Sequence, residues 1–361
     1  MNSEGSLALA LATLRGKVAS VDVQSSRRAR AASALAGRTP SEVLRIVPLL
    51  FPVCGMAQTI ACARAIEAAL GRVASPELHA ARERLCLAEA VASHVWQLAI
   101  AWREAAGVAS DPGAVRAARR ALDAISRGLF APAALGRALR EEDATHEVRA
   151  ATRDLAALVH QLTASEPPLV RAVRAAGRSS FGASGVKVRA AAELDADAIG
   201  ARLAADRAFA ERPELDGAPI DPSAYARARA DAEVQRVEAE HGRGLLARLV
   251  AANAAAVADA HALAESAPGH TAPPSPSAAR GVGAGMAETA RGPLVFWVRT
   301  SVDAVEDVRV VAPTEWRLHP YGVLASSLVG ADATSTLARD AGWLVLALDP
   351  CVPWTIEVRH A

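Results

Sequence analysis

The hydrophobic pattern changes twice along the chain, from strand-like to helical and back to strand-like. Residues 6–25 alternate apolar and polar positions on both sides of Arg15-Gly16-Lys17, which predicts a β-hairpin with a short turn. From Thr39-Pro40-Ser41-Glu42 onward the apolar residues recur at helical spacing, and Pro40 suits the first position of a helix. A small β unit therefore leads into helices.

Alanine-rich segments with an apolar face fill the middle of the chain. Breaks at Gly, Pro or Ser-Asp-Pro separate predicted helices at 57–70, 77–106, 113–127, 132–162 and 167–176. The pattern weakens between 177 and 222, apart from a helical stretch at 194–211. A long helical pattern then runs from 224 to 266.

The last part of the chain returns to strand-like runs. Residues 267–285 are rich in Pro, Gly and Ser and are predicted to be a loop. The runs PLVFWVRT, EDVRVVAP and GWLVLAL follow and are predicted to be strands. We therefore expect an α+β fold with a long-helix core and β elements at both ends. It forms one domain over 1–361, with a β unit at 1–35, a helical core at 36–266, the loop at 267–285 and a strand block at 286–361.

Charge and apolar content exclude two classes of partner. Lys+Arg of 40 against Asp+Glu of 39 leaves a formal charge of +1, so there is no basic field to attract nucleic acid. The apolar stretches are interrupted by charged residues before they reach the length of a membrane span, so we expect no membrane insertion. Four cysteines in a chain of 361 residues do not form a disulfide framework, and the N-terminus lacks the features of a signal peptide. The expected location is the cytoplasm.

Two of the cysteines stand in unusual contexts. A free cysteine usually packs as a small buried hydrophobe, and this interpretation fits Cys62 and Cys86, which lie inside predicted helices. Cys54 precedes a helix start, where the helix dipole and free N–H groups favour a thiolate, the form that binds metals. Cys351 follows Asp349-Pro350, where the run GWLVLAL ends. If that run is a buried strand, side chains after its end emerge at the edge of the sheet.

Local motifs for a self-contained site are missing from the sequence. There is no Cys-x-x-Cys, no His-x-x-x-His and no Gly-rich phosphate loop. The GVGAG run at 281–285 follows a Pro-rich loop rather than a strand, which argues against dinucleotide binding. The pattern alone indicates an α+β protein with two special cysteines.

Five blocks in the right order resemble the large subunit of nickel–iron hydrogenases. The run from Ser3 to Leu7 resembles the block Arg-Ile-Glu-Gly-His-Leu, and LLFPVCGMAQTIACARAIEAALG resembles Arg-x-Cys-Gly-x-Cys-x-x-x-His with its following helix. LAEAVASHVWQLAIAW is similar to the family's histidine-bearing helix. GMAETARGPLVFWVRT with VVAPTEW, and finally ALDPCVPW, resemble its arginine, Pro-Thr and Asp-Pro-Cys-x-x-Cys blocks. The fold implied is a reduced form of that subunit.

The departures from the family pattern remove half of its metal-binding thiolates. In the family, four cysteines hold nickel and iron. Cys54 falls on the second cysteine of the first pair and Cys351 on the first cysteine of the second pair, whereas Phe51 and Trp354 occupy the other two positions. Nickel needs about four soft donors with its bridges to iron, so the resemblance predicts that nickel is not bound.

Further positions of the family's site are also changed. Gln58 replaces the histidine after the first pair, and Glu357 aligns with the near-terminal histidine, with His360 three residues beyond. These three residues are candidates for supporting the metal ligands. The family's cleavable tail is missing after this point, so we expect no processing step.

The iron half of the site is better preserved than the nickel half. Arg291 matches the arginine that lies over the metals, and Pro313-Thr314 matches the pair that hydrogen-bonds a cyanide ligand. The resemblance implies that Cys54 and Cys351 hold an Fe(CN)2(CO) fragment with these donors around it. Glu4 matches a glutamate of the family's structural magnesium site and is the candidate ligand for that metal.

The function implied is that of an accessory protein of hydrogenase maturation, a scaffold or carrier for the Fe(CN)2(CO) fragment, and the question whether the chain is an enzyme stays open. Its expected partners are other maturation proteins and the hydrogenase large subunit. Two alternatives remain at this stage. One is a divergent large subunit that still handles or senses hydrogen, with two further ligands from elsewhere. The other is a metal-free assembly chaperone. A separate alternative for Arg291 and Thr314 is that they are inherited core residues, with Arg291 paired with Glu288 and Thr314 capping a turn.

Overall fold

A computed structural model describes residues 5–26, 29–132, 134–140, 144–265 and 280–360. Helices and strands mix in these ranges, which confirms the α+β prediction. The strands are β1 (Leu7–Leu14), β2 (Lys17–Ser25), β3 (Lys187–Val188), β4 (Ile220–Asp221), β5 (Val282–Thr289), β6 (Gly292–Thr300), β7 (Val305–Val311) and β8 (Trp354–His360).

The α-helices, numbered in chain order, are α1 (Pro40–Leu50), α2 (Gly55–Ala69), α3 (Pro76–Trp96), α4 (Trp102–Ala105), α5 (Pro112–Leu129), α6 (Thr145–Thr163), α7 (Pro168–Ala175), α8 (Ala196–Ala205), α9 (Ala224–Ala228), α10 (Ala232–His241), α11 (Leu245–Glu265), α12 (Pro313–Arg317), α13 (Val323–Leu328) and α14 (Leu337–Leu348). A π-helical turn, Gln97–Ala101, joins α3 to α4 without a break. Short 3-10 helices cover Ala29–Leu35, Ala191–Glu193 and Arg207–Ala210.

The two ends of the chain meet in one sheet. The hairpin β1–β2 turns at Arg15 and Gly16, both of which have positive φ (51° and 74°), the geometry that matches strand twist in a two-residue turn. Strand β8 pairs in parallel with β1, so the sheet order is β2-β1-β8. Residues just before β8 are thereby placed beside the start of β1.

Helix α1 begins where the sequence predicts. The Thr39 side chain accepts the backbone N–H of Glu42, and the Glu42 carboxylate accepts the backbone N–H of Thr39, a reciprocal cap that satisfies two otherwise orphaned donors. The helix ends at Leu50, and Phe51 is its C-cap, three residues before Cys54. The next helix, α2, starts immediately after that cysteine.

Strand β5 lies directly on helix α2. A side chain at Gly283 or Gly285 would overlap the backbone of α2, so only glycine permits this close approach. Strands β5, β6 and β7 form an antiparallel sheet in that order, which confirms the strands predicted at PLVFWVRT and EDVRVVAP. The GVGAG run is thus mostly strand, and the predicted loop at 267–285 is wrong for its last four residues. Residues 266–279 lie outside the described ranges.

Three other predicted elements are wrong. The run GWLVLAL is the second half of helix α14, not a strand. The helix predicted at 132–162 begins only at Thr145, because Phe130 and Leu139 pair as an isolated β-bridge that turns the chain first. The single helix predicted at 224–266 is divided into α9, α10 and α11, with the cap of Asp231 and the positive φ of Gly242 at the breaks.

One hydrophobic cluster runs from Leu7 to Val352 and includes residues of most helices and of both three-stranded sheets. Helix Pro76–Ala105 is long and apolar enough to cross a membrane by length and composition, but 78% of its most apolar window is buried inside the protein. Such burial is typical of a core helix.

Candidate functional site

Cys54 is the residue at which helix α2 begins. It occupies the N-cap position with φ −133°, and its sulfur accepts a hydrogen bond from Nε2 of Gln58 at 3.4 Å, one turn into the helix. Its side chain is 9% exposed. A sulfur at a helix N-terminus with an amide donor beside it is stabilised as a thiolate. The structure therefore brings Gln58 into contact with the cysteine, as a donor rather than as a ligand.

Glu89 of helix α3 caps the same helix end. Its two carboxylate oxygens accept the backbone N–H groups of Met56 and Ala57, each at 2.9 Å. Burial raises the pKa of Glu89 to about 7, against the lowering effect of these hydrogen bonds and of the Arg291 charge. Sequence reasoning missed this residue, although a glutamate inside the apolar run LCLAEAV of a core helix was a usable signal.

Cys351 follows the end of helix α14. Asp349 closes that helix in the left-handed conformation with φ 50°, which turns the chain away before Pro350. Cys351 is partly buried, and its sulfur lies 3.3 Å from Oγ1 of Thr314 at the start of α12. The cysteine thus emerges at a helix end, and the prediction that it follows a sheet edge is wrong.

Arg291 lies in the turn between β5 and β6. The next residue, Gly292, has φ 121° and lies against the carbonyl of Pro222, so no side chain fits there. The Arg291 guanidinium is 6% exposed. It donates to the Asp349 carbonyl oxygen and to Oγ of Ser93, both at 3.0 Å, and forms an ion pair with the Asp349 carboxylate, also at 3.0 Å. Glu288, the alternative partner considered for Arg291, faces Arg227 at 3.6 Å.

The sulfurs of both cysteines act electrostatically on this guanidinium. Although burial opposes the charge, the Asp349 carboxylate and the sulfurs of Cys351 and Cys54 together raise the pKa of Arg291. Residues from opposite ends of the chain therefore share one cation. Four elements supply the residues of this site. They are the N-cap of α2 with Cys54, the end of α14 with Cys351, the β5–β6 turn with Arg291 and the start of α12 with Thr314.

A second arginine, Arg317, completes the charged surroundings and was missed by sequence reasoning. It is buried one turn after Thr314, and its Nε donates to the carbonyl of Pro313 at 3.1 Å. Burial lowers the pKa of Arg317 to about 10; the Asp349 carboxylate opposes this and the Arg291 charge adds to it. The spacing of Thr314 and Arg317 in VVAPTEWR was the available signal, since residues three apart share a helix face.

The two family cysteine positions that are lost here are filled by aromatic rings. Phe51 packs edge-on against Phe296 of β6, with ring centroids 6.4 Å apart. Trp354, the first residue of β8, lies against Gly342 of α14, where a Cβ would be 3.1 Å from its ring. Both rings contribute packing and no metal donor.

Glu357 and His360 are not brought to the cysteines. Glu357 is exposed and forms an ion pair with Arg359 at 2.8 Å, and Nδ1 of His360 lies 3.0 Å from Oγ1 of Thr13 at the far end of the sheet. Strand β8 carries both residues away from the site. Glu4, the candidate magnesium ligand, lies outside the described residues.

The other two cysteines are core residues, as predicted. Cys62 and Cys86 are buried in α2 and α3, and burial raises the pKa of both thiols. Within the described ranges, no three His, Cys, Asp or Glu side chains converge in a way that could hold a metal ion. The site offers two sulfurs, two guanidinium groups and a hydroxyl, which suits a small metal fragment that brings its own ligands.

Comparison of the sequence with characterised proteins gives a consistent result. No protein-family model matches the chain. The chain is 31% identical to the hydrogenase expression/formation protein HupK of Azotobacter vinelandii over 340 residues, which cover 91% of this chain and 90% of that protein. It is 30% identical to HupK of Bradyrhizobium diazoefficiens over 358 residues, which cover 95% and 94%.

Comparison of the structure identifies the fold. The Ni-Fe-Se hydrogenase of Desulfovibrio vulgaris Hildenborough, in its as-isolated oxidised state, superposes with a TM-score of 0.69 over 94% of both chains at 16% identity. The reduced enzyme of Desulfomicrobium baculatum gives a TM-score of 0.67 over 94% of this chain and 95% of that one, at 13% identity. These neighbours are hydrogenase large subunits, and the predicted resemblance of the fold is confirmed.

Proposed function

The chain belongs to the HupK family of hydrogenase expression/formation proteins, and on that premise we propose that it holds and passes on the Fe(CN)2(CO) part of the nickel–iron cofactor. It is an accessory protein with the fold of a hydrogenase large subunit. The observation that supports the carrier role is that the sulfurs of Cys54 and Cys351 both act on the Arg291 guanidinium, whose pKa they help to raise, while Cys351 also contacts Thr314.

The donor set favours an iron fragment over a nickel–iron pair. The thiolates of Cys54 and Cys351 would hold the iron, which would bring its own cyanide and carbonyl groups. Arg291 and Thr314 are hydrogen-bond donors next to the sulfurs and suit the cyanide nitrogens. Phe51 and Trp354 supply no donor for nickel, so the fragment would be held by fewer thiolates than in a hydrogenase and released more easily.

In this role the chain's own residues prepare the sulfurs. Gln58 and the start of α2 stabilise charge on Cys54, and both sulfurs act on the Arg291 guanidinium, whose pKa they help to raise. Arg291 also fixes the loop that carries Cys351 through its contacts with Asp349. The partners of such a carrier would be the cytoplasmic proteins that load the iron fragment and the hydrogenase large subunit that receives it.

Anaerobic purification after co-expression with the hydrogenase maturation proteins tests the proposal. Infrared spectra and counts of iron and nickel per chain are measured on the same sample. Iron with cyanide and carbonyl bands and without nickel supports the carrier. Stoichiometric nickel would indicate a divergent large subunit instead, and a metal-free protein without these bands would indicate an assembly chaperone.

A further inference from the structure

One face of helix α3 contacts the elements that carry the site. Glu89, Ser93 and Gln97 are four residues apart, so their side chains lie in one row along the helix. The row ends at Gln97, because the π-helical turn that starts there changes the register of the residues that follow. Ser93, in the middle, accepts a hydrogen bond from Arg291 at 3.0 Å. The helix around this row is packed into the core, which makes the row a rigid support.

Glu89, at one end of the row, holds the helix start that carries Cys54. The Cys54 side chain does not cap α2, so the first N–H groups of that helix need an acceptor from elsewhere. The Glu89 carboxylate supplies it and accepts the backbone N–H groups of Met56 and Ala57, each at 2.9 Å. The backbone that directly follows Cys54 is therefore fastened to α3.

Gln97, at the other end of the row, holds the helix end that leads to Cys351. Its side chain is 5% exposed, and its Nε2 donates to the carbonyl oxygen of Leu346 at 3.2 Å. The same carbonyl oxygen accepts the backbone N–H of Asp349, also at 3.2 Å. The last turn of α14, which ends shortly before Cys351, is therefore fastened to α3 as well.

We propose that Glu89 and Gln97 are positioning residues that set the distance between the sulfurs of Cys54 and Cys351, so that both sulfurs reach one metal. The two anchors are eight residues apart on one helix, about 12 Å along its axis. A packed helix does not stretch, so α3 fixes this spacing more firmly than the loops that carry the cysteines. The identity of the metal fragment rests on the proposed function, but the spacing is a property of the metal-free protein.

The test uses phenylarsine oxide, an arsenic(III) compound that is captured by two thiols held close together. Two As–S bonds form, and the oxide oxygen leaves as water with the two thiol protons. Metal-free protein is titrated without oxygen, and mass spectrometry of the peptides identifies the bridged sulfurs. Wild type should bridge Cys54 and Cys351. Glu89→Leu and Gln97→Met should each weaken this capture at least tenfold.

Matched controls change the same residue types on the surface. Glu147→Leu and Gln161→Met alter exposed residues of α6 and should capture the arsenical as wild type does. Glu89→Gln keeps one acceptor oxygen for the start of α2, so its capture should lie between wild type and Glu89→Leu. Capture at the wild-type level in both Glu89→Leu and Gln97→Met would overturn the proposal.

Alkylation of single thiols separates positioning from a general effect on stability. Iodoacetamide rates are measured well below the Tm of each variant. Glu89→Leu should speed the reaction of Cys54 and leave that of Cys351 unchanged, and Gln97→Met should do the reverse. If each variant instead speeds both reactions and exposes the core thiol Cys62, the two side chains support the fold in general and the proposal is wrong.

Iron loading distinguishes the positioning role from the carrier role. Bridging of the two sulfurs that depends on Glu89 and Gln97, in a protein that never loads iron, would support the positioning role while the carrier proposal fails. Normal iron loading in both variants would overturn the positioning role while the carrier proposal stands. A wild-type protein that does not bridge Cys54 and Cys351 would also overturn the positioning role.

Discussion

Arg291 holds Asp349 at two points. Its Nε donates to the Asp349 carbonyl oxygen and its Nη2 pairs with the Asp349 carboxylate, both at 3.0 Å. Asp349 has φ 50°, a conformation that non-glycine residues adopt at some cost, although aspartate tolerates it better than most. The ion pair therefore stabilises the turn that places Cys351, and links the β5–β6 turn to the end of helix α14.

Removing the Asp349 carboxylate should destabilise the protein. Asp349→Ala leaves the buried Arg291 charge unpaired, and we expect the free energy of unfolding to fall by about 3 kcal/mol. Asp349→Asn keeps an acceptor and tolerance of the left-handed conformation, so it should lose less. Denaturant unfolding measures both, with Glu357→Ala of the exposed pair as a control that leaves the midpoint unchanged. Equal unfolding midpoints for Asp349→Ala and wild type would show that the contacts between Arg291 and Asp349 do not stabilise the protein.

Packing of β5 on α2 should be sensitive to one methyl group. Gly285→Ala would push its Cβ into the backbone at Ala61 and Ala65, so we expect a loss of about 3 kcal/mol in the free energy of unfolding. Gly185→Ala is the matched control, since a Cβ there meets nothing within 4 Å; its effect should stay within about 1 kcal/mol. Similar losses for the two variants would show that the close approach does not matter.

Reactivity of the thiols should separate the site from the core. Cys351 is the partly exposed cysteine and Cys54 is buried, so Cys351 should be alkylated first in the folded protein, with Cys54 slower. Cys62 and Cys86 should react only after unfolding, because burial keeps both as neutral thiols. Mass spectrometry of peptides after brief iodoacetamide treatment gives the order. Early labelling of Cys62 would contradict the structure.

Stability should depend on pH through Glu89. Its pKa is raised from 4.5 to about 7 in the folded protein, so the folded state holds this proton over a range in which the unfolded chain has lost it. The contribution of Glu89 to stability is therefore full below about pH 4.5 and declines as pH rises to about 7, at most by about 1.4 kcal/mol per pH unit. Glu89→Gln should flatten that decline. An identical slope in the variant would mean that Glu89 does not titrate there.

The sequence predicted elements whose signals are local. The helix start at Pro40 and the turn at Arg15-Gly16 depend on neighbouring residues alone, and the structure confirms both. The prediction of a strand at GWLVLAL was wrong because a short, continuous apolar run fits a buried helix as well as a buried strand. The prediction of a loop at GVGAG was wrong because its glycines allow the close approach of α2, which lies more than 200 residues earlier in the sequence.

Some residues of the site could be predicted from the sequence around them, and others could not. Cys54 at a helix start could be predicted from its neighbours, and the family resemblance directed attention to Cys351, Arg291 and Thr314. Glu89 and Arg317 could not be assigned to the site from local sequence, because their roles depend on which helix end or cavity the fold places beside them. Glu357 aligned with a family position, but strand β8 turns its side chain outward.

The dependence of bound cyanide and carbonyl on both sulfurs tests the central claim most directly. Wild type, Cys54→Ala, Cys351→Ala and the core control Cys62→Ala are each co-expressed with the maturation proteins, purified without oxygen and compared by infrared spectroscopy per chain. The account predicts cyanide and carbonyl bands in wild type and Cys62→Ala, and their loss in both site variants. Bands of equal intensity in all four proteins, or none in wild type, would contradict it.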